Sequence, residues 1–283
     1  MTYLLAAEYV KLALLITGQD FRWVQDMGLA RLRAGAPFDA FVVLQNTSGM
    51  QRASPWTAKH PDRRPGSSYR IPEAATQHTQ FVHQTALQAS VHSVANRFGY
   101  PHLWRRYGPR LESNVRMLLL RSMCMRNAFR YQEVRGAAYT SALYVREDNY
   151  FLADPMLDRH PIAPGVVYVD AFCGFGAHSD KVHYGSFSTM TTLLSDGEAM
   201  IGFWLGGGTT SYQSTEHFLT QWMTVHDLTA TPVDFLRADV RYCSGRLCTP
   251  SIYASCTSVT AARRFPVCPL AAHGKVLNQR RRT

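Results

Sequence analysis

The chain has 283 residues, 46% of them hydrophobic and only 18% charged, so it can bury a full core and is not a disordered chain. Its length allows one large domain or two small ones. The net charge of +10 favours anionic partners (nucleotide diphosphates, nucleic acid, anionic membranes or acidic polysaccharides) without choosing among them. Part of that excess is local: Arg263-Arg264 and Arg280 to Arg282 read as solvated charge near the C-terminus.

The stretch Met1–Gly18 is apolar, but Glu8 and Lys11 interrupt it, and it lacks the charged start and cleavage site of a signal peptide. No transmembrane helix is expected. The chain is expected in the cytosol as written, or in a Golgi-type lumen if an upstream anchor precedes it; membrane association is expected only through such an anchor. Lys11 to Gly18 is a continuous apolar run closed by glycine, the pattern of a central parallel strand. Asp39 to Leu44 predicts a second strand. Residues 47–72, rich in Ser, Pro, Arg and Gly, read as a long loop or insertion. Gln80 to Phe98 has helical spacing. Asn114 to Tyr131 is a stronger helix, with Val115, Leu118, Leu119, Met123 and Phe129 on one face and the arginines on others. Strands follow at Ala142–Val145 and Val166–Val169, and then an amphipathic helix at Thr215–His226 with Ser214 or Thr215 as N-cap. After Arg237 the sequence reads as irregular and Cys-rich. Strands alternating with helices predict an α/β domain with a mostly parallel sheet over 1–245, followed by an irregular, basic tail over 246–283.

Six cysteines are present, four of them in the last quarter of the chain. No C-x-x-C pair occurs, so a tetrahedral zinc site is not indicated. Two disulfides and four buried thiols are both compatible with that spacing.

The stretch from Ala142 to Phe151 carries the most chemistry: a buried strand that runs through Arg146 into adjacent carboxylates, Glu147 and Asp148, and then an aromatic pair. Carboxylates at the C-terminal end of a strand in an open α/β sheet stand where such folds bind ligands. Hard oxygen ligands there suit a divalent cation shared with a diphosphate. Three further stretches line up with it. The first strand opens into Gly18-Gln19, with Arg22 just beyond, where glycine allows close backbone approach and arginine can pair with a diphosphate. A later stretch holds Ser179-Asp180-Lys181, Tyr184-Gly185-Ser186 and Met190, and Thr215-Glu216 opens the last helix.

In this collinear order, over roughly residues 11–245, the chain resembles a family of GT-A-like nucleotide-sugar glycosyltransferases that includes many uncharacterised polysaccharide-synthesis proteins. The matching positions are Gly18, Gln19 and Arg22; Asp39-Ala40-Phe41-Val42; Arg146, Asp148 and Phe151; Asp180 and Lys181; and Glu216. Ser179 stands where the family often has Asn, Thr215 where it has Pro, and Arg146 at the first acidic position of a strict Asp-x-Asp. The resemblance implies a GT-A-like, Rossmann-related fold and transfer of a sugar from a nucleotide-sugar donor to a hydroxyl of a glycan or glycoconjugate. Gly18, Gln19, Arg22 and Arg146 would bind the donor, and Asp148 with Glu147 would hold Mn²⁺ or Mg²⁺ against the diphosphate. Asp180 or Glu216 would act as base or acceptor-binding carboxylate. Nucleic acid is not an expected partner.

A rival reading starts at Asp170-Ala171-Phe172-Cys173-Gly174-Phe175-Gly176, which looks like the first motif of S-adenosylmethionine-dependent methyltransferases. It falls late in the chain, and no catalytic loop of Asn-Pro-Pro-Tyr type follows. A third reading is an inactive relative that binds glycans. His178 and His183 are expected on a surface loop, Gly206-Gly207-Gly208 as a flexible turn rather than a phosphate loop, and Trp104, Trp204 and Trp222 in the core.

Overall fold

The protein is described from a computed structural model, which covers residues 11–19, 38–46, 76–97, 101–136, 138–147, 149–172, 177–208, 214–239, 241–243, 246–250 and 267–268. The main sheet has seven strands: β1 (Lys11–Gln19), β2 (Phe38–Asn46), β3 (Thr76–His83), β4 (Tyr139–Arg146), β6 (Val166–Asp170), β7 (Val182–Ser186) and β8 (Thr229–Val233). Their spatial order is β3-β2-β1-β4-β7-β6-β8. Only β7 runs against the others, between β4 and β6. The short strand β5 (Asn149–Phe151) pairs instead with β9 (Arg237–Asp239) in an antiparallel ribbon.

The apolar runs of β1, β2 and β4 are central strands buried on both faces. Ala13, Leu15, Phe41, Val43, Ala142 and Tyr144 point to one face and meet five helices: α1 (Gln84–Arg97), α2 (Pro101–Arg135), α3 (Phe187–Leu194), α4 (Gly197–Phe203) and α5 (Thr215–Val225). Leu12, Leu14, Ile16, Ala40, Val42, Leu143 and Val145 point to the other, where Phe151, Leu157, Phe235 and Ala238 pack on them. This is the period-2 alternation of a strand read on both sides. The expected α/β class with a mostly parallel sheet flanked by helices is therefore present.

Several elements differ from the sequence expectation. The predicted helix from Gln80 begins only at Gln84, because Thr76–His83 forms strand β3, which pairs with β2 and is the edge of the sheet among the described residues. An edge strand has no need of an apolar run, so Thr, Gln and His conceal it. Helix α2 starts at Pro101 and continues through Gly108-Pro109, a pair that sequence rules treat as a break. Phe129 is 41% exposed rather than in the core stripe. Helix α4 packs on α2 near Leu118 and Ser122, and Phe129 lies about 10 Å further along the axis. His183 is fully buried in β7, not on a surface loop. Gly206-Gly207-Gly208 closes a single π-helical turn, Trp204–Gly208. Trp204 and Trp222 are core residues, as expected. Beyond Asp239, β10 (Arg241–Cys243), β11 (Arg246–Pro250) and β12 (Val267–Cys268) form a three-stranded sheet where the sequence reads as irregular. The expected loop at 47–72 lies outside the described residues. Among them, no helix is long and apolar enough to cross a membrane.

Candidate functional site

The chain leaves β1 for β2 and β3 on one side and returns at β4 on the other. The C-terminal ends of β1 and β4 therefore form a topological switch point, where open α/β sheets leave a crevice for ligands. Gly18 and Gln19 end β1; Arg146 ends β4 and Glu147 follows it. Two backbone bonds fix this corner: Glu147 N–H donates to the Thr17 carbonyl at 3.0 Å, and Arg146 N–H to that of Lys181 at 3.0 Å.

Glu147 is only 1% exposed. Its carboxylate occupies the space a side chain at position 18 would need: a Cβ there would stand 1.8 Å from Glu147 Oε2, and Gly18 has φ +150°. Gly18→Ala is expected to cost about 2–3 kcal/mol, from left-handed backbone strain and displacement of a buried carboxylate. Urea denaturation measures this, and a midpoint equal to the parent's would refute the packing described.

Beneath the corner lies a buried polar network. Arg121 of α2 donates from Nε to the Tyr144 hydroxyl at 2.8 Å, and from Nη2 to the Asp180 carbonyl at 2.9 Å and to its Oδ2 at 3.2 Å. Arg146 Nη1 donates to both Asp180 oxygens at 3.1 Å. Asp180 is thus the shared counter-ion of two guanidinium groups, 1% exposed, and it fixes the head of Arg146. His183 stacks on Tyr144 and meets the Ser179 carbonyl through Nε2 at 2.8 Å. Burial, then the charge of Arg121, lowers its pKa to about 3, so the ring is neutral and Nε2 is the donor.

The three residues 179–181 are anchored in three directions. Ser179 Oγ donates to Asp170 Oδ2 at 3.4 Å, Asp180 binds the two arginines, and Lys181 Nζ lies 3.8 Å from Asp239 Oδ2. Arg237 joins Asp170 and Asp239, donating to the first from Nε at 2.9 Å and to the second from Nη1 at 2.6 Å. Ser214 caps α5, and its hydroxyl donates to Glu216 Oε2 at 2.7 Å. The Glu216 carboxyl is pushed above the usual glutamate range, first by burial and then by the charge of Asp180.

A cleft of about 160 Å³ opens above this network. Its lining includes Arg146, Glu147 and Asp180 from the sheet side, Asn114, Arg116, Met117 and Leu120 from α2, Thr215 from α5 and Gln45 from β2. The structure thus brings Gly18, Arg146, Glu147 and Asp180 together at one corner, with Glu216 close enough to feel Asp180. Gln19 ends β1, but its side chain, like all of Arg22 and Asp148, lies outside the described residues, as do Cys173 to Gly176. Asp170 is engaged by Arg237. Arg121, Arg237 and Asp239 were missed by the sequence reading. The arginines of this helix were expected off its apolar face, but Arg121 is fully buried because its partners, Tyr144 and Asp180, come from distant parts of the chain.

Among the described residues, Glu147 is the carboxylate at the cleft wall, while Asp180 is committed to arginines. No group of three His, Cys, Asp or Glu side chains among the described residues is placed to hold a metal ion, and Glu147 Oε2 lies 4.0 Å from Arg146 Nε, so a cation here would have to take most of its oxygens from substrate phosphates. No family model matches this chain, and no curated protein matches it either.

Proposed function

We propose that the protein is a GT-A-type glycosyltransferase moving a sugar from a nucleotide-sugar to an acceptor hydroxyl. One observation carries the reading: a cleft at the β1/β4 switch point in which Arg146, fixed by Asp180, stands beside Glu147. Arg146 presents a preorganised cation to the charge that develops on a diphosphate leaving group. Glu147, with Asp148, would hold Mn²⁺ or Mg²⁺, which when bound neutralises the same charge. Of the two candidate bases, Glu216 fits better: both Asp180 oxygens are taken by guanidinium groups, whereas burial and the charge of Asp180 raise the pKa of Glu216, which makes it the stronger proton acceptor when ionised. As the acceptor oxygen bonds to the anomeric carbon, the bond to phosphate breaks and the hydroxyl proton passes to Glu216, so the displacement is direct and inverting.

The test is thermal stabilisation by UDP, GDP and CMP, each with and without Mn²⁺, and by S-adenosylmethionine. A ligand at about one hundred times its Kd adds about 2.7 kcal/mol, or about 5–10 °C for a domain of this size. One nucleotide is expected to give such a shift only with metal, and Glu147→Gln to abolish it. Stabilisation by S-adenosylmethionine alone would replace this reading with the methyltransferase.

A further inference from the structure

We infer that Arg121 is a positioning residue of this site: buried on α2, it holds Asp180 in the orientation that aims the Arg146 guanidinium at the cleft. The inference deepens the transferase reading and rests on it only for what Arg146 binds.

An arginine at this place is costly. Its neighbours on α2, Leu118, Leu120, Cys124 and Met125, are buried in the helix-side core, and Arg121 is itself 0% exposed. Its Nη1 is buried with no hydrogen-bond partner among the described residues. A buried guanidinium with one donor unmade carries a desolvation cost that an apolar side chain of similar volume avoids. The reason for a cation there lies in what its other donors do.

Two of those contacts fall on one residue. Arg121 Nη2 donates to the Asp180 carbonyl at 2.9 Å and to Asp180 Oδ2 at 3.2 Å. One nitrogen thus holds the backbone and the carboxylate of the same residue, which fixes the side-chain torsions between them. Arg146 Nη1 reaches both oxygens of that carboxylate at 3.1 Å, and the Arg146 side chain is 12% exposed at the cleft wall. A side chain of that length has many rotamers to lose, and its contact with Asp180 is the one that Arg121 controls. Arg121 holds the carboxylate, and the carboxylate holds Arg146. A guanidinium set in advance in this way loses little entropy when an anion arrives.

The other end of Arg121 is tied to the sheet. Nε donates to the Tyr144 hydroxyl at 2.8 Å, which leaves that hydroxyl its own proton for Thr17 Oγ1 at 3.0 Å. The guanidinium carbon lies 4.8 Å from the centre of the Tyr144 ring. Tyr144 is on β4 and Thr17 on β1, so one side chain of α2 braces both strands whose ends form the corner. This arrangement uses the planar fork of arginine, with Nε and Nη2 side by side; lysine supplies the charge from a single nitrogen and does not reproduce it.

The experiment compares the full chain with Arg121→Lys by side-chain nitrogen NMR, with Arg146→Lys to assign the Arg146 signal. The Arg146 guanidinium protons are expected to exchange with solvent at least about tenfold faster in Arg121→Lys than in the parent. UDP, GDP and CMP, each with Mn²⁺, are titrated into both proteins, and the one that binds should bind Arg121→Lys about tenfold more weakly. With a sugar donor built on that nucleotide, KM should rise by the same factor while the acidic limb of the pH profile stays in place, because the charges at 121 and 180 are kept. Tyr144→Phe, which breaks only the brace to β1, should leave Arg146 exchange within about twofold of the parent. Melting curves establish folding, and Arg121→Gln is read by the same exchange measurement if the lysine variant does not fold. Unchanged Arg146 exchange would overturn the inference, whatever happens to the melting point, and so would weaker nucleotide binding without faster exchange. Faster exchange in a protein whose parent binds none of the nucleotides leaves the positioning role standing and removes the transferase reading. A sugar donor turned over by Arg121→Lys with unchanged KM leaves the transferase standing and removes the positioning role.

Discussion

Arg237→Met is expected to destabilise the fold by about 3–5 kcal/mol, the largest effect of any single change at the polar clusters. Arg237 is 1% exposed and is the cation between two carboxylates, Asp170 and Asp239, each almost fully buried. Lys181 lies 3.8 Å from Asp239, and methionine at 237 removes the cation that Asp170 and Asp239 share. Burial already pushes the Asp170 carboxyl above the usual aspartate range, with the charge of Arg237 opposing the shift. Without Arg237 the folded-state pKa rises further above the unfolded one. A raised acid keeps its proton in the folded state, so the variant is most stable below the usual aspartate range and loses stability as pH climbs through the raised value. Urea denaturation at pH 5 and pH 8 checks this: the deficit of Arg237→Met should be smaller at pH 5. Asp170→Asn combined with Arg237→Met should recover part of the loss, since Asp239 keeps Lys181 as a counter-ion at 3.8 Å and the carboxylate left without Arg237 is neutralised. A single variant as stable as the parent at pH 8 would show that the cluster does not hold β6, β9 and the 179–181 turn together.

The residues that made the fold legible in sequence are those whose environment is uniform. β1, β2 and β4 are buried on both faces over their length, so they appear as unbroken apolar runs, and the corner they frame could be named from Gly18, Arg146 and Glu147. The hidden parts have mixed environments. β7 is buried throughout yet contains His183, Gly185 and Ser186. Its glycine is needed because a Cβ would stand 2.8 Å from the Val166 carbonyl of β6, and a histidine can be buried there because it is neutral and bonded to Ser179. Neither reason is local, so no window of sequence exposes the strand. The same holds for Asp180. Its position in the chain suggests a catalytic carboxylate, but its chemistry is set by Arg121, 59 residues away, and Arg146, 34 residues away. Pairings at that separation are decided by the topology that brings α2 beneath the ends of β4 and β7.

Glu216→Gln is expected to lower kcat by about 10²–10⁴ with little change in KM, using a sugar donor built on the nucleotide that the stabilisation panel selects, and to leave the melting point at or above the parent's. The removed carboxyl is half-buried and pays for its charge in desolvation, so stability gives no reason to keep it. Because the folded-state pKa is raised, the acidic limb of kcat/KM should lie above the usual glutamate range: activity falls as pH drops through that raised value and the base becomes protonated. Asp180→Asn separates the two carboxylates. It removes the second cause of the Glu216 shift, so the acidic limb should move to lower pH, while the loss of the counter-ion frees Arg146 and raises KM. If Asp180 were the base instead, Asp180→Asn would abolish kcat and Glu216→Gln would keep both kcat and the acidic limb. The opposite responses of limb position and KM in the two variants assign the base role to one carboxylate and the anchoring role to the other, and a structural role alone moves neither limb.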